Sequence, residues 1–165
     1  MPLYFELYGV AALLTLAVLA VPASIAAVGR RALYGATLTV CLVALAADAF
    51  AMATRFTATA VLPLGLPWIG MNLRLDPLAS YFLVVINLGS AAASLYAIGY
   101  DRHESAPWRV APFFPAFLAG MNMVVMAADA FTFLFSWEFM SLASWALVMA
   151  HHPSGATRTP ASSIS

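Results

Sequence analysis

The sequence predicts an all-α integral membrane protein of about five transmembrane helices. Hydrophobic residues make up 64% of the 165 positions and charged residues only 8%, whereas an ordinary soluble domain is about 25% charged. So few charges cannot cover a water-facing surface. Apolar runs of roughly 20 residues recur along the chain, and at about 1.5 Å rise per residue such a run matches a hydrocarbon layer about 30 Å thick. The net charge is zero and every basic residue is an arginine, which argues against a nucleic-acid surface. The expected surroundings are the lipid bilayer of a cell inner membrane or plasma membrane.

The first expected span covers 7–28, LYGVAALLTLAVLAVPASIAAV. A secretory signal would place basic residues before its apolar region; here the leader is MPLYFE, with Glu6 instead. Pro22 is expected to kink this helix, and Arg30 and Arg31 to close it. The second span, 33–53, holds Cys41 in an apolar run, where packing is its expected role, and Asp48 near its end. Asp48 reads either as part of a polar path or as an interfacial residue with partial solvation.

Residues 54–77 form the longest connection. Pro63, Gly65, Pro67 and Gly70 break its apolar part, so a complete extra helix is not expected. Met71–Asp76 alternates apolar and polar, which suits a short strand or turn at the surface, and Trp68 suits headgroup depth. The third span, 78–100, sets Asn87, Ser90 and Ser94 on one helical face. That face is either a small-residue packing seam or a hydrated wall.

The loop DRHESAPWRVAP, 101–112, is charged in both signs and reads as a solvated connector, with docking of a soluble partner as the alternative. The fourth span, 113–128, is uncharged. Pro115 is tolerable in its first turn, while Gly120 and Asn122 permit a close helix contact. Asp129 marks a tight turn into the fifth span, 131–150, so the last two helices are expected to be antiparallel neighbours; one interrupted helix is the rival. The remaining residues, 152–165, are polar and rich in Pro, Ser and Thr, and are expected to be a disordered tail. Arg30, Arg31, Arg102, Arg109 and Arg158 fall on one side of this topology and Arg55 and Arg74 on the other. The positive-inside rule then puts the amino terminus outside and the carboxyl terminus in the cytoplasm.

Candidate chemistry narrows to Glu138, the one charge inside FTFLFSWEFMSLASWALVMA, 131–150. An ionisable group in mid-span is costly, and it usually faces a protein or water-filled interior where it moves protons or ions. Ser141 and Ser144 follow it by one and two turns, and Phe135, Leu142 and Trp145 make its other neighbours apolar. A structural, hydrogen-bonding carboxyl is the alternative. Asp48 is a second, weaker candidate for a proton relay. No cysteine spacing for an iron-sulphur cluster, glycine-rich phosphate loop or HExxH occurs. His103, His151 and His152 read as loop residues rather than metal ligands, and Ser136, Ser141 and Ser144 have no histidine base in the span. No cofactor is expected in this chain, nor a redox or hydrolytic site.

Residues 73–100, LRLDPLASYFLVVINLGSAAASLYAIGY, and 113–150, FFPAFLAGMNMVVMAADAFTFLFSWEFMSLASWALVMA, resemble the amino-terminal region of the antiporter-like membrane subunits. This family is shared by NADH:quinone oxidoreductase, cation/proton antiporters and energy-converting hydrogenases, and the likeness extends to hydrogenase-4 component B and its formate hydrogenlyase counterpart. The resemblance implies a proton-translocating, non-catalytic subunit of an oxidoreductase complex, with other membrane subunits and soluble redox subunits as partners. It assigns Glu138, within SWEFMSLAS, to a central proton path, and Asp76 and Pro77 to a structural loop before the third helix. Family members are much longer and pair this glutamate with lysines of later helices, whereas this sequence has no lysine. The expectation is therefore an incomplete subunit, as truncation or a shifted reading frame would produce. The alternative is a structural subunit or remnant without independent transport.

Overall fold

A computed structural model describes residues 2–24, 27–63, 70–100 and 110–151. The expected disordered tail, Trp68, the positions of Arg102, Arg109 and Arg158, and those of His103 and His152 lie outside the described residues. The elements are α1 (Pro2–Ala23), α2 (Ala27–Ala53), β1 (Ala58–Leu62), β2 (Met71–Leu75), α3 (Pro77–Tyr100), α4 (Phe113–Met126) and α5 (Ala130–His151). The fold is a helical bundle with one small hairpin. Among the described residues, four helices are long and apolar enough to cross a membrane, with spans Leu3–Ala23, Val28–Ala53, Pro77–Gly99 and Ala130–Ala150. The fourth in chain order, α4, is apolar but has 14 residues, about 21 Å of helix.

The first two helices divide elsewhere than expected. Pro22, read as a mid-span kink, sits in the last turn of α1, and the helix stops at Ala23. Ser24 N–H still reaches the Ala20 carbonyl at 2.8 Å, and Arg30 Nη1 donates to the Ser24 carbonyl at 2.9 Å. Arg30 and Arg31 thus belong to the start of α2 instead of a loop. A proline without an N–H is tolerated more easily at a helix end than in mid-span, where a lipid-facing carbonyl would be left unpaired.

At its other end α2 closes through paired reverse bonds, Phe56 N–H to Ala51 O (2.9 Å) and Arg55 N–H to Met52 O (3.2 Å). This motif requires a left-handed residue, and Arg55 supplies it with φ 50°. The chain then enters β1, which pairs antiparallel with β2 in the register Ala58↔Leu75 to Leu62↔Met71. The alternation of MNLRL does make a strand, but not a surface one. Met71, Leu73 and Leu75 are buried against the bundle, and only the intervening Arg74 is exposed. A period of two puts three large apolar side chains on one face, and that face closes one end of the helices.

Aspartates start the two helices that follow. Asp76 caps α3: its Oδ1 accepts from Ala79 N–H at 2.8 Å while Pro77 fills the first helical position, where no N–H is needed. Arg74 Nε adds a bond to Asp76 Oδ2 at 3.1 Å. The Ala79 N–H, aided by Arg74, holds the Asp76 carboxyl below its ordinary range. Asp129 caps α5 through Thr132 N–H (2.8 Å) and Thr132 Oγ1 (2.6 Å), and it also accepts from Asn72 N–H of β2 at 3.0 Å. Ala128 N–H returns to the Asn72 carbonyl at 2.9 Å. The α4–α5 turn is thereby fastened to the hairpin.

Helices α4 and α5 are antiparallel neighbours, not one interrupted helix. Gly120 backs onto Met140, and a Cβ at Gly120 would lie 3.0 Å from the Met140 Cα and Cβ. The helix order across the bundle is α3, α2, α1, α4, α5, with α3 also touching α4, so α5 lies outermost against α4 and β2.

Replacing Gly120 by Ala is expected to destabilise the α4–α5 pair by about 1–3 kcal/mol through overpacking. Gly89→Ala, inside α3 where the added methyl meets nothing within 4 Å, serves as the control in detergent unfolding measurements, reporting only the helix-propensity gain of about 1 kcal/mol. A second expectation concerns pH. The Thr132 hydroxyl, then the Thr132 and Asn72 N–H groups, lower the Asp129 carboxyl to about 2. A depressed carboxyl contributes stability that is complete above its unfolded value of about 3.9 and is lost as pH falls toward the folded value. Between about pH 4 and pH 2 the wild type should therefore lose stability more steeply than Asp129→Asn, as read from thermal unfolding at stepped pH.

Candidate functional site

The polar residues divide into two groups that the fold keeps apart. The first lies in the centre of α1 to α4. Asp48 is fully buried, as are Glu6, Asn87 and Asn122, so the expected partial solvation of Asp48 does not hold. It points inward from α2 beneath the hairpin, where α1 and α3 pack over it.

The bonding of this group has a fixed polarity. Leu118 O, a backbone carbonyl, can only accept, so the Asn122 atom 2.8 Å from it is Nδ2. Asn122 Oδ1 therefore faces Asn87 and must receive a donor. Asn87 Nδ2 supplies it at 3.2 Å and gives its other hydrogen to Asp48 Oδ2 at 2.8 Å. Asp48 in turn lies within hydrogen-bonding reach of Glu6. One polar chain thus crosses from α4 through α3 and α2 to α1. Two oxygens in it, Glu6 Oε1 and Asp48 Oδ1, have no partner.

Asn87, Ser90 and Ser94 do share a face, and all three are buried. Ser94 Oγ bonds its own helix at Ser90 O, 2.8 Å. With Ala91 also buried, this stretch is a small-residue seam through which α3 approaches its neighbours. Cys41 lies in the same apolar core.

The second group is on α5. Glu138 is exposed, on the stripe that also carries Leu134, Phe135, Leu142 and Trp145. Ser141 and Ser144 are half-buried, while Thr132, Ser136 and Ala143 form the inner face toward the bundle. Glu138 is consequently not part of the buried polar chain. Among the described residues no group of three His, Cys, Asp or Glu side chains could hold a metal ion. An apolar groove of about 830 Å³ runs between α1, α4 and α5, lined by Leu14, Val18, Phe113, Phe139, Trp145 and Met149 among others.

Sequence reasoning missed Glu6, because the first span is expected to begin at residue 7 and Glu6 enters only as part of the leader before it. The structure instead begins α1 at Pro2, which places Glu6 within its second turn. The partner could not be found from sequence, since Glu6 and Asp48 are 42 positions apart and meet only when the two helices pack.

No family model matches the chain. Over 87 residues, 53% of this chain, it is 36% identical to an uncharacterized protein of Mycobacterium tuberculosis, of which the match covers 14%. It is 35% identical over 82 residues to hydrogenase-4 component B of Escherichia coli, covering 48% of this chain and 12% of that protein. NADH-quinone oxidoreductase subunit L of Mycobacterium tuberculosis is 29% identical over 98 residues, 58% of this chain and 16% of its own length. The chain thus spans a minor part of the relatives it matches, and what it has in common with them is a distant, partial homology to membrane subunits of the NADH:quinone oxidoreductase and hydrogenase-4 type.

Proposed function

We propose that this chain is part of a proton-translocating membrane subunit of an energy-converting hydrogenase or NADH:quinone oxidoreductase-type complex, with Glu138 carrying the proton. The observation that supports this reading best is the position of Glu138. It sits in the middle of a 22-residue apolar helix, on the face that the other described helices leave open. A charged group at the bilayer centre costs about 3 kcal/mol on insertion scales. Such a side chain is retained where protein or water covers it and its charge is used. The exposed stripe of α5 is then an assembly face, and the covering helices supply the groups that exchange the proton with Glu138. The partial homology to hydrogenase-4 component B and subunit L agrees with that reading. In this proposal the amino terminus lies outside and the hairpin caps the external end, while the start of α2, with Arg30 and Arg31, faces the cytoplasm.

A second reading has its own support. The buried residues Asn87, Asn122 and Ser94 make their bonds within the bundle, as a structural subunit requires. The two readings separate on Glu138. In a complete homologous assembly, Glu138→Gln is expected to insert normally and lower coupled proton transfer about a hundredfold, the scale of a positioned acid–base group. Transport at the wild-type rate in membrane vesicles would leave the structural reading standing.

A further inference from the structure

The buried polar chain ends in two carboxyl groups, and its polarity determines how they can coexist. Leu118 O orients Asn122, Asn122 orients Asn87, and Asn87 presents a donor to Asp48 Oδ2. Asp48 is thereby built to be an acceptor. Its remaining oxygen, Oδ1, and the Glu6 Oε1 oxygen have no partner, although Asp48 is 0% and Glu6 2% exposed. Two acceptors cannot satisfy each other, and two adjacent buried carboxylates cannot both remain charged.

We infer that Glu6 and Asp48 form a proton-binding site separate from Glu138, in which one proton resides on Glu6 and is donated to the Asp48 carboxylate. A single proton turns one carboxyl into a donor, so that the pair bonds instead of repelling. It leaves one negative charge, placed on the group that Asn87 serves. The two carboxyls titrate as a pair rather than as two independent acids.

Among the described residues the surroundings leave the exchange to these two groups; Arg74 of β2 is exposed and paired with Asp76. Neither α4 nor β1 contains a titratable residue. On α3 the titratable residues are Tyr81, Tyr96 and Tyr100, of which Tyr81 and Tyr96 are exposed. On α1 the tyrosines 4 and 8 are exposed as well. On α2, Arg30, Arg31 and Tyr34 lie toward the opposite end of the helix from Asp48, and Cys41 is two turns away. The Met71, Leu73 and Leu75 side chains of the hairpin close the near end of the bundle to water.

Infrared difference spectroscopy of the full chain in lipid nanodiscs at neutral pH tests this assignment, in a Glu138→Gln background that removes the other mid-span carboxyl. A carboxylic C=O band is expected, shifted by deuterium exchange, lost in Glu6→Gln, and retained at a moved frequency in Asp48→Asn, where Glu6 donates to an amide instead of a carboxylate. Persistence of the band in Glu6→Gln overturns the assignment, as does its absence from the parent protein. Its disappearance when sodium replaces choline at constant pH also overturns it, because the occupant would then be a metal cation. Should Glu6→Gln fail to fold, carboxyl-13C glutamate in the parent chain decides the matter: the band moves if Glu6 bears the proton, and an unmoved band contradicts the inference.

Discussion

A polar group inside a bilayer has no water to bond, and this constraint organises the interior of the protein through Asn87. Its one Nδ2 atom bonds Asp48 on α2 and Asn122 on α4, so a single side chain of α3 links three helices. Apolar helices have little hydrophobic incentive to associate in lipid, where packing and interhelical hydrogen bonds must supply it. The small residues Ser90, Ala91 and Ser94 on the same helix let the backbones approach closely enough for these bonds to form. Replacing Asn87 by an apolar residue would leave Asp48 and Asn122 each without a donor, which is costlier than the loss of the bonds themselves.

The hairpin performs a complementary task at the end of the bundle. Its buried face completes the apolar core, and its polar backbone fastens to the α4–α5 turn through Asn72, Asp129 and Thr132. Two strands would be marginal by themselves. Here the helices cover one face, and the aspartate caps of α3 and α5 lie at its edges. The buried Glu6–Asp48 pair is therefore roofed by apolar side chains, while the capping carboxylates outside the spans stay ionised.

Much of this architecture is legible in the sequence. The apolar runs give the long helices, Asp76 and Pro77 enter through the family resemblance as a structural loop before α3, and the period-two pattern of MNLRL marks β2. Its partner β1 was hidden because ATAVL has no comparable alternation and lies among proline-interrupted apolar residues. The ends of α1 and α2 were misplaced since Arg30 and Arg31 look like a loop boundary, yet a helix end can hold arginines whose side chains reach carbonyls and the interface. The orientation of acidic residues was least accessible. Asp48 near a helix end looked solvated, and Glu138 in mid-span looked enclosed. Depth along a helix can be counted from sequence, whereas the side that meets a neighbour depends on tertiary packing.

The two carboxyl environments give the chain distinct inner and outer chemistries. Glu6 and Asp48 are enclosed by helices of the chain itself, while Glu138 is on the apolar outer stripe of α5 and depends on what covers that stripe. The most direct test of the functional account is a nitroxide label at Leu142→Cys, one turn from Glu138, with its collision rate with membrane-dissolved oxygen measured in the isolated chain and in the complete membrane assembly. The account predicts frequent collisions in the isolated chain and strong protection in the assembly. Equal, lipid-like accessibility in both would contradict it, because Glu138 would then face lipid with no protein to exchange a proton.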